Sequence, residues 1–418
     1  MSRKPELLFV SPRFLFPADT GGAIRTTEIL RGMRGGRFRI KLLSPAAGDE
    51  MKRFAPQLAE IADEWECWPT ARKADTFALR RVPLLASSLP VPVASDRSKE
   101  GQRIVAAALA KKPQTVVFDF LHSVVLAPDA HGTPSVLFTH NVEAEIFERN
   151  LQYAKNIASR LLWRNQTAKM RRFEAAAMRR FDRVVAVSAR DAERFTRDYG
   201  RSEVDVIPTG VNVDYFQYVA PESAPRVVFT GSMDWLANID AITWFRDDIW
   251  PLLAARQADA TMTVVGRNPP EQLARSASTS WKFAGRVDDI RPWVKGAAAF
   301  VIPMRIGGGT RIKAFEAMAM GIPVVSTGVG IEGLDVQPGK HFLLADTAQD
   351  FAAAVVSLLQ DPELGRRLSR QARDHVQAHF SSRAVAGKFE EICARASERS
   401  NRVQESVRGA AVAPVRPA

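Results

Sequence analysis

The chain has 418 residues, 46% of them apolar and 25% charged, which excludes a collagen, a mostly disordered chain or a small disulfide scaffold and leaves room for two domains. Its 58 Lys and Arg against 46 Asp and Glu leave a net charge of +12. That balance fits a nucleic acid, a membrane surface or a phosphorylated substrate, and does not choose among them. In chain order, short apolar runs alternate with amphipathic stretches. Leu7–Ser11, Arg39–Leu43, Thr115–Asp119, Ser135–Thr139, Val184–Ser188 and Val204–Ile207 read as strands, with helices such as Thr26–Met33 and Gln102–Ala110 between them. The segment Val219–Pro225, with two prolines and small residues, reads as a linker. The alternation then restarts with Arg226–Thr230, Met262–Val265, Ala298–Ile302 and Pro323–Ser326. Strand–helix–strand alternation predicts an α/β protein with two parallel-sheet domains, and ligands of such sheets bind beyond the carboxyl ends of the strands.

The predicted division is an N-terminal domain over 1–218, a second over 226–380, a helix over 381–396 returning to the first domain, and a disordered tail over 397–418. The tail is rich in Ser, Ala, Arg, Val and Pro and has no periodic apolar face. The apolar run from Leu7 stops at Arg13, too short for a secretory signal. The longest uncharged run, Ala317–Ile331, is interrupted by Gly321 and Pro323 and falls short of the roughly 20 apolar residues of a membrane span. Two distant cysteines, Cys67 and Cys393, point to a reducing compartment. The expectation is a cytoplasmic protein, at most peripheral on the inner face of the membrane. A helix over Asn156–Phe181 bears on that point. Between Leu151 and Arg183 nine Lys or Arg face two acids, so this is either a solvated helix face or an interfacial helix on anionic lipid with Leu161, Leu162 and Trp163.

Three motifs carry chemistry. Gly21-Gly22 follows the first strand and opens a helix, where backbone can approach an anionic ligand. His140, in Thr139-His-Asn-Val-Glu143, stands at a strand end and is expected to point into the cleft between the domains. The densest signal is Pro303–Val325. There a buried strand runs into Gly307-Gly308-Gly309 and then Thr310, where a helix is expected to begin. Such glycines make a nest of N–H groups for phosphate, and Lys313 and Glu316, three apart, share a helix face. One suits a phosphate and the other sugar hydroxyls. Gly328-Val-Gly-Ile-Glu-Gly333 matches a dinucleotide fingerprint, but the residues after it cannot open a helix of useful length. A P-loop and a D-x-D metal–nucleotide pair are absent.

These residues resemble the family 4 glycosyltransferases of the GT-B fold, over about residues 5–395. The markers are Gly21-Gly22, Ile207-Pro-Thr-Gly-Val-Asn212, Phe229-Thr-Gly231, Phe283-Ala-Gly-Arg-Val287 and, above all, Gly309–Val325. The chain looks closest to bacterial sugar transferases of exopolysaccharide clusters, including those of exosortase systems. The resemblance implies two Rossmann-like domains facing across a cleft. It also implies transfer of a hexosyl group from a nucleotide-diphosphate sugar, with retention, to a glycan or polyprenyl-diphosphate-linked acceptor. The acceptor falls to the first domain and the donor to the second.

Under the resemblance Gly22 and His140 face the transferred sugar, and Gly231 and Ser232 lie on the first donor-side loop. Arg286 and Val287 hold the base, Gly307, Gly308, Gly309 and Thr310 meet the diphosphate, and Glu316 binds the ribose. The family's usual basic pair is missing from Gly231–Asp240, and Gly308 stands where a first acid is common. Charge neutralisation is therefore assigned to Arg311 and Lys313, with no cofactor and no metal. An anionic membrane surface remains a candidate partner. Nucleic acid does not, because four tyrosines and no aromatic–basic run make a poor nucleic-acid surface. The alternatives are a nucleotide-sugar epimerase on the same fold and a non-catalytic membrane-surface protein.

Overall fold

The computed structural model describes residues 4–18, 20–70, 83–152, 154, 156–220, 224–306 and 311–411, with 399–411 by backbone alone. It forms two compact units, one of Met1–Pro208 with Val385–Ala418, the other of Thr209–Ala384. The first holds a parallel sheet of β1 (Glu6–Val10), β2 (Arg39–Ala46), β3 (Glu64–Pro69), β4 (Thr115–Asp119), β5 (Ser135–Phe138), β6 (Arg183–Ala186) and β7 (Asp205–Val206), in the order β3-β2-β1-β4-β5-β6-β7. The second holds β8 (Arg226–Thr230), β9 (Thr261–Val265), β10 (Trp281–Gly285), β11 (Ala299–Ile302), β12 (Val324–Ser326) and β13 (Leu343–Leu344), again all parallel, in the order β10-β9-β8-β11-β12-β13.

Each order reverses direction beside its first strand. The reversals fall between β1 and β4 and between β8 and β11, where sheets of this kind open a ligand crevice. Helices cover both faces, which is why the central strands are apolar without alternation. In β1, Leu7 and Phe9 join one core and Leu8 and Val10 the other. In β8, Val228 joins one core and Val227 and Phe229 the other.

Three strands are additional to those read from the sequence. β3 is an edge strand of alternating exposure, Glu-Trp-Glu-Cys-Trp-Pro, whose acids mask its pattern. β10 is the strand that carries the Phe283–Val287 marker, and β13 has only two residues. The segment from Thr209 joins the second unit ahead of the linker read at 219–225. Main-chain bonds from Val211 to Phe380, from Ser382 to Val211 and from Val219 to Met320 tie it there.

The C-terminal helix runs Ser382–Ala411, so residues 397–411, expected to be disordered, are helical, and 412–418 lie outside the described residues. Val385, Phe389, Ile392 and Ala396 are buried in the first unit's core and anchor the helix. Once it is nucleated, further turns of ordinary helix formers add at little cost. Among the described residues no helix is long and apolar enough to cross a membrane.

Candidate active site

In the first unit the helix Gly21–Met33 begins just beyond β1, with the Thr20 hydroxyl accepting from the Ala23 N–H at 3.4 Å. A Cβ at Gly22 would lie 2.5 Å from Phe120 Cζ and 3.7 Å from His140 Nδ1, so only glycine lets the helix start this close to those rings. Phe120 follows β4 at φ +62°, a strained conformation for a bulky residue that costs on the order of 1–3 kcal/mol. It stacks on His140 with centroids 3.8 Å apart and planes 11° from parallel.

The sequence reading has His140 pointing into the cleft between the domains. In the structure it is 4% exposed and both ring nitrogens are engaged. Nε2 lies 2.7 Å from Asp119 Oδ1, and Nδ1 lies 3.0 Å from Arg25 Nη1. Arg25 can only donate, so Nδ1 accepts and the proton sits on Nε2. Burial lowers the His140 pKa against the pull of Asp119, and lowers that of Arg25 to about 10. Thr26 donates to both Asp119 oxygens, at 3.2 and 3.0 Å. A neutral imidazole locked in one tautomer positions its neighbours.

Sequence reasoning missed His122, two residues past Phe120. Its Nδ1 lies 2.8 Å from Asp96, and its buried Nε2 has no hydrogen-bond partner and lies 3.9 Å from Glu143.

In the second unit β8 and β9 end in a close backbone approach. A Cβ at Gly266 would lie 1.9 Å from the Gly231 carbonyl oxygen. A Cβ at Gly231 would lie 2.8 Å from Asn238 Nδ2 and 2.9 Å from Lys313 Nζ. Lys313 therefore reaches from the helix Ile312–Ala319 to the end of β8, donating to Asn238 Oδ1 at 3.0 Å with its ammonium 4.2 Å from the Phe229 ring centre. Burial, and then Arg311, push Lys313 down to about 7, against the pull of Glu316. Burial pushes Glu316 up to about 7, opposed by Lys313.

Arg311, 3% exposed, is turned inward. Its Nε and Nη2 both donate to the Val329 carbonyl at 3.3 Å, and burial lowers its pKa, opposed by Glu332. Its guanidinium is tied to the segment after β12 just ahead of the helix, which begins at Ile312, two residues later than expected.

A further cation that the sequence reading passed over is Arg267, just beyond β9. It donates to Asp234 at 2.7 Å and to Ser232 Oγ at 3.2 Å, while Asn268 donates to the other Asp234 oxygen at 2.8 Å. The signal was a Gly-Arg pair directly after the strand next to β8. Arg286 is exposed after Gly285, at φ +69°, and Val287 packs against the core. Gly307, Gly308, Gly309 and Thr310 lie outside the described residues. The fingerprint-like Gly328–Gly333 holds only a three-residue turn, Val329–Ile331, as its sequence indicated. Among the described residues no group of His, Cys, Asp and Glu is arranged to hold a metal ion.

Two family models match the chain: Glycosyltransferase Family 4 over residues 20–215 and Glycosyl transferases group 1 over residues 224–361. The chain belongs to these glycosyltransferases. A 44.6 kDa protein of the cps region of Klebsiella pneumoniae is 19% identical to this transferase over 91% of it and 97% of the relative. The D-inositol 3-phosphate glycosyltransferase of Rhodococcus opacus is 26% identical over 60% of each chain, so the match spans three fifths of that enzyme's length. Among solved structures, HepE of Anabaena in complex with UDP covers 93% of the transferase and 99% of its own chain, at 15% identity and a TM-score of 0.62. The sucrose-phosphate synthase of Thermosynechococcus elongatus covers 93% and 98%, at 19% identity and 0.63. At these identities the likeness concerns the fold, which for the transferase is GT-B with two Rossmann-like domains.

Proposed function

We propose that this glycosyltransferase moves a hexosyl group, with retention, from a nucleotide-diphosphate sugar to a glycan or polyprenyl-diphosphate-linked acceptor in cell-surface polysaccharide synthesis on the cytoplasmic side of the membrane. The observation that carries the reading is the Lys313 ammonium set against Gly231, with Glu316 one turn along the same helix. The anion that this place suits is a diphosphate, and the UDP complex of the Anabaena protein and the cps-region origin of the Klebsiella relative support the choice of donor and pathway class.

In the proposed reaction the anomeric C–O bond to the diphosphate breaks and the acceptor oxygen bonds to the same face of that carbon. The acceptor proton passes to the departing phosphate oxygen. Negative charge grows on the diphosphate as the bond breaks, and Lys313, joined by Arg267 from the neighbouring strand, is preorganised to meet it. Arg311 holds the start of the helix that carries Lys313. No divalent ion is required when side chains and main-chain amides supply the positive potential. Glu316 accepts from ribose hydroxyls, and His140, held by Asp119 and Arg25, positions the Gly22 turn of the first unit.

Steady-state kinetics test these roles. Glu316→Ala should raise the donor KM about 10- to 150-fold, because a hydrogen bond to a charged group is lost equally from ground and transition states. Lys313→Ala should lower kcat instead, because its target charge develops only as the bond breaks. Circular dichroism checks that both variants fold. Wild-type constants in two well-folded variants would remove this helix from the active site.

A further inference from the structure

The helix Ile157–Arg180 has two unlike halves. Its C-terminal half packs into the first unit through Met170, Ala177 and Met178, and its one acid, Glu174, is buried. Its N-terminal half stands out. Ile157 is 78% exposed, Leu161 60% and Leu162 41%, and Ile146 of the adjoining helix Glu143–Gln152 is also exposed. At 100° per residue, Ile157, Arg160, Leu161 and Arg164 fall on one face, and Ala168 and Arg171 continue it. Arg171 is satisfied by Glu148 at 2.6 Å, whereas the exposed Arg160 and Arg164 make no ion pair among the described residues. The segment is nonetheless built to stay helical. Asn156 and Ser159 form a reciprocal cap, and Trp163 sits edge-on against Phe147, centroids 5.7 Å apart. A solvated helix face would carry acids among its arginines and few large aliphatics. This face carries the reverse.

We propose that the Ile157–Arg164 face docks on an anionic lipid surface. Ile157 and Leu161 would enter the boundary between headgroups and acyl chains, and Arg160 and Arg164 would meet lipid phosphates. Neither component suffices alone, since two aliphatic side chains bury little area and two arginines are screened by salt; together they give reversible, composition-sensitive attachment. The occupant is chosen by charge: a second copy of this chain would bring the same two unpaired arginines to the contact. The inference is independent of the proposed transfer reaction, and its test uses no activity measurement.

The experiment is co-sedimentation of the full chain with vesicles of phosphatidylglycerol and phosphatidylcholine, or of phosphatidylcholine alone, at low and high salt. Binding should appear on the anionic vesicles and fall with salt. Arg160→Gln with Arg164→Gln should weaken it about 30-fold. Ile157→Ser with Leu161→Ser should weaken it as well. The paired control Arg256→Gln with Arg370→Gln, exposed positions on the second unit, makes the same change in net charge and should leave binding in place. Equal binding to both vesicle types, binding to neither, or an equal loss in the control pair would overturn the proposal. So would a dimer seen by light scattering that Leu161→Ser abolishes.

Discussion

Lys313 and Glu316 meet burial with opposite signs, and that gives the site a pH signature of its own. Glu316 titrates near 7 in the fold instead of near 4.5, so its stabilising contribution is complete below about 4.5 and is lost as pH rises toward 7. Lys313 titrates near 7 instead of near 10.5, so its contribution is complete above about 10.5 and is lost as pH falls toward 7. Both penalties overlap near neutrality. The double variant Lys313→Met with Glu316→Gln should be more stable than wild type at pH 7, on the order of 2 kcal/mol, with the gap narrowing but persisting toward pH 5, where the Lys313 penalty is complete, and toward pH 9, where the Glu316 penalty is complete. Urea midpoints across that range check it, and parallel curves would reject it. The sequence shows these two residues and their spacing. It does not show Asn238, Phe229 or Arg267, which lie on other elements and meet Lys313 or the neighbouring loop only when β8, β9 and the helix converge.

At the scale of elements, the loop after β5 is held by a buried carboxylate on a distant helix. Glu174 accepts from the N–H groups of Glu143 and Ala144, at 2.9 and 3.3 Å, and from the Tyr199 hydroxyl at 2.6 Å. It thereby caps the helix Glu143–Gln152 and fixes the entry of the chain from His140. Burial pushes Glu174 up to about 7, opposed by the Tyr199 bond. Glu174→Ala should cost about 2 kcal/mol, because two buried N–H groups and one hydroxyl lose their acceptor. Glu174→Gln, which keeps an acceptor oxygen, should cost less. Denaturant unfolding of both variants tests this, and an alanine variant as stable as wild type would show that water takes over the cap. Other elements carry their signals locally. Asn156 and Ser159 announce the start of the long basic helix, and the apolar run of β8 needs no partner to be recognised. The edge strand β3 and the two-residue β13 are defined by pairing with β2 and β12, so their own sequences are mute.

For the molecule as a whole, two sheets of the same strand order set their glycine-bearing first loops at the reversal of each order. Arg267, Lys313 and Gly231 all belong to the second unit, so a nucleoside diphosphate should bind through that unit. UDP, GDP and ADP compared by thermal shift should single out one base, with about 2.7 kcal/mol of added stability at a hundredfold excess over Kd. The shift should be lost in Lys313→Ala, and no shift with any of the three would contradict the donor class. Transfer should also proceed at an unchanged rate in EDTA. Complete loss restored by magnesium or manganese would contradict a reaction driven by side-chain cations and amides alone.

The sequence by itself determined the α/β class, both parallel sheets and the family, because buried parallel strands are continuous apolar runs and the Gly309–Val325 motif is local in the chain. It also placed Lys313 and Glu316 on one helix face, which needs only helical periodicity. Tertiary structure decided how each charged group is spent. The sequence reading points His140 into the cleft and assigns Arg311 to charge neutralisation; in the fold one is clamped between Asp119 and Arg25 and the other is turned onto the Val329 carbonyl. Those partners lie 18 to 115 residues away. Burial and partner choice are properties of the packed chain, since they depend on which distant atoms share a low-dielectric space. No periodicity encodes that, and it is there that a histidine becomes a brace, an arginine is tied to a main-chain carbonyl and a lysine is drawn onto Asn238.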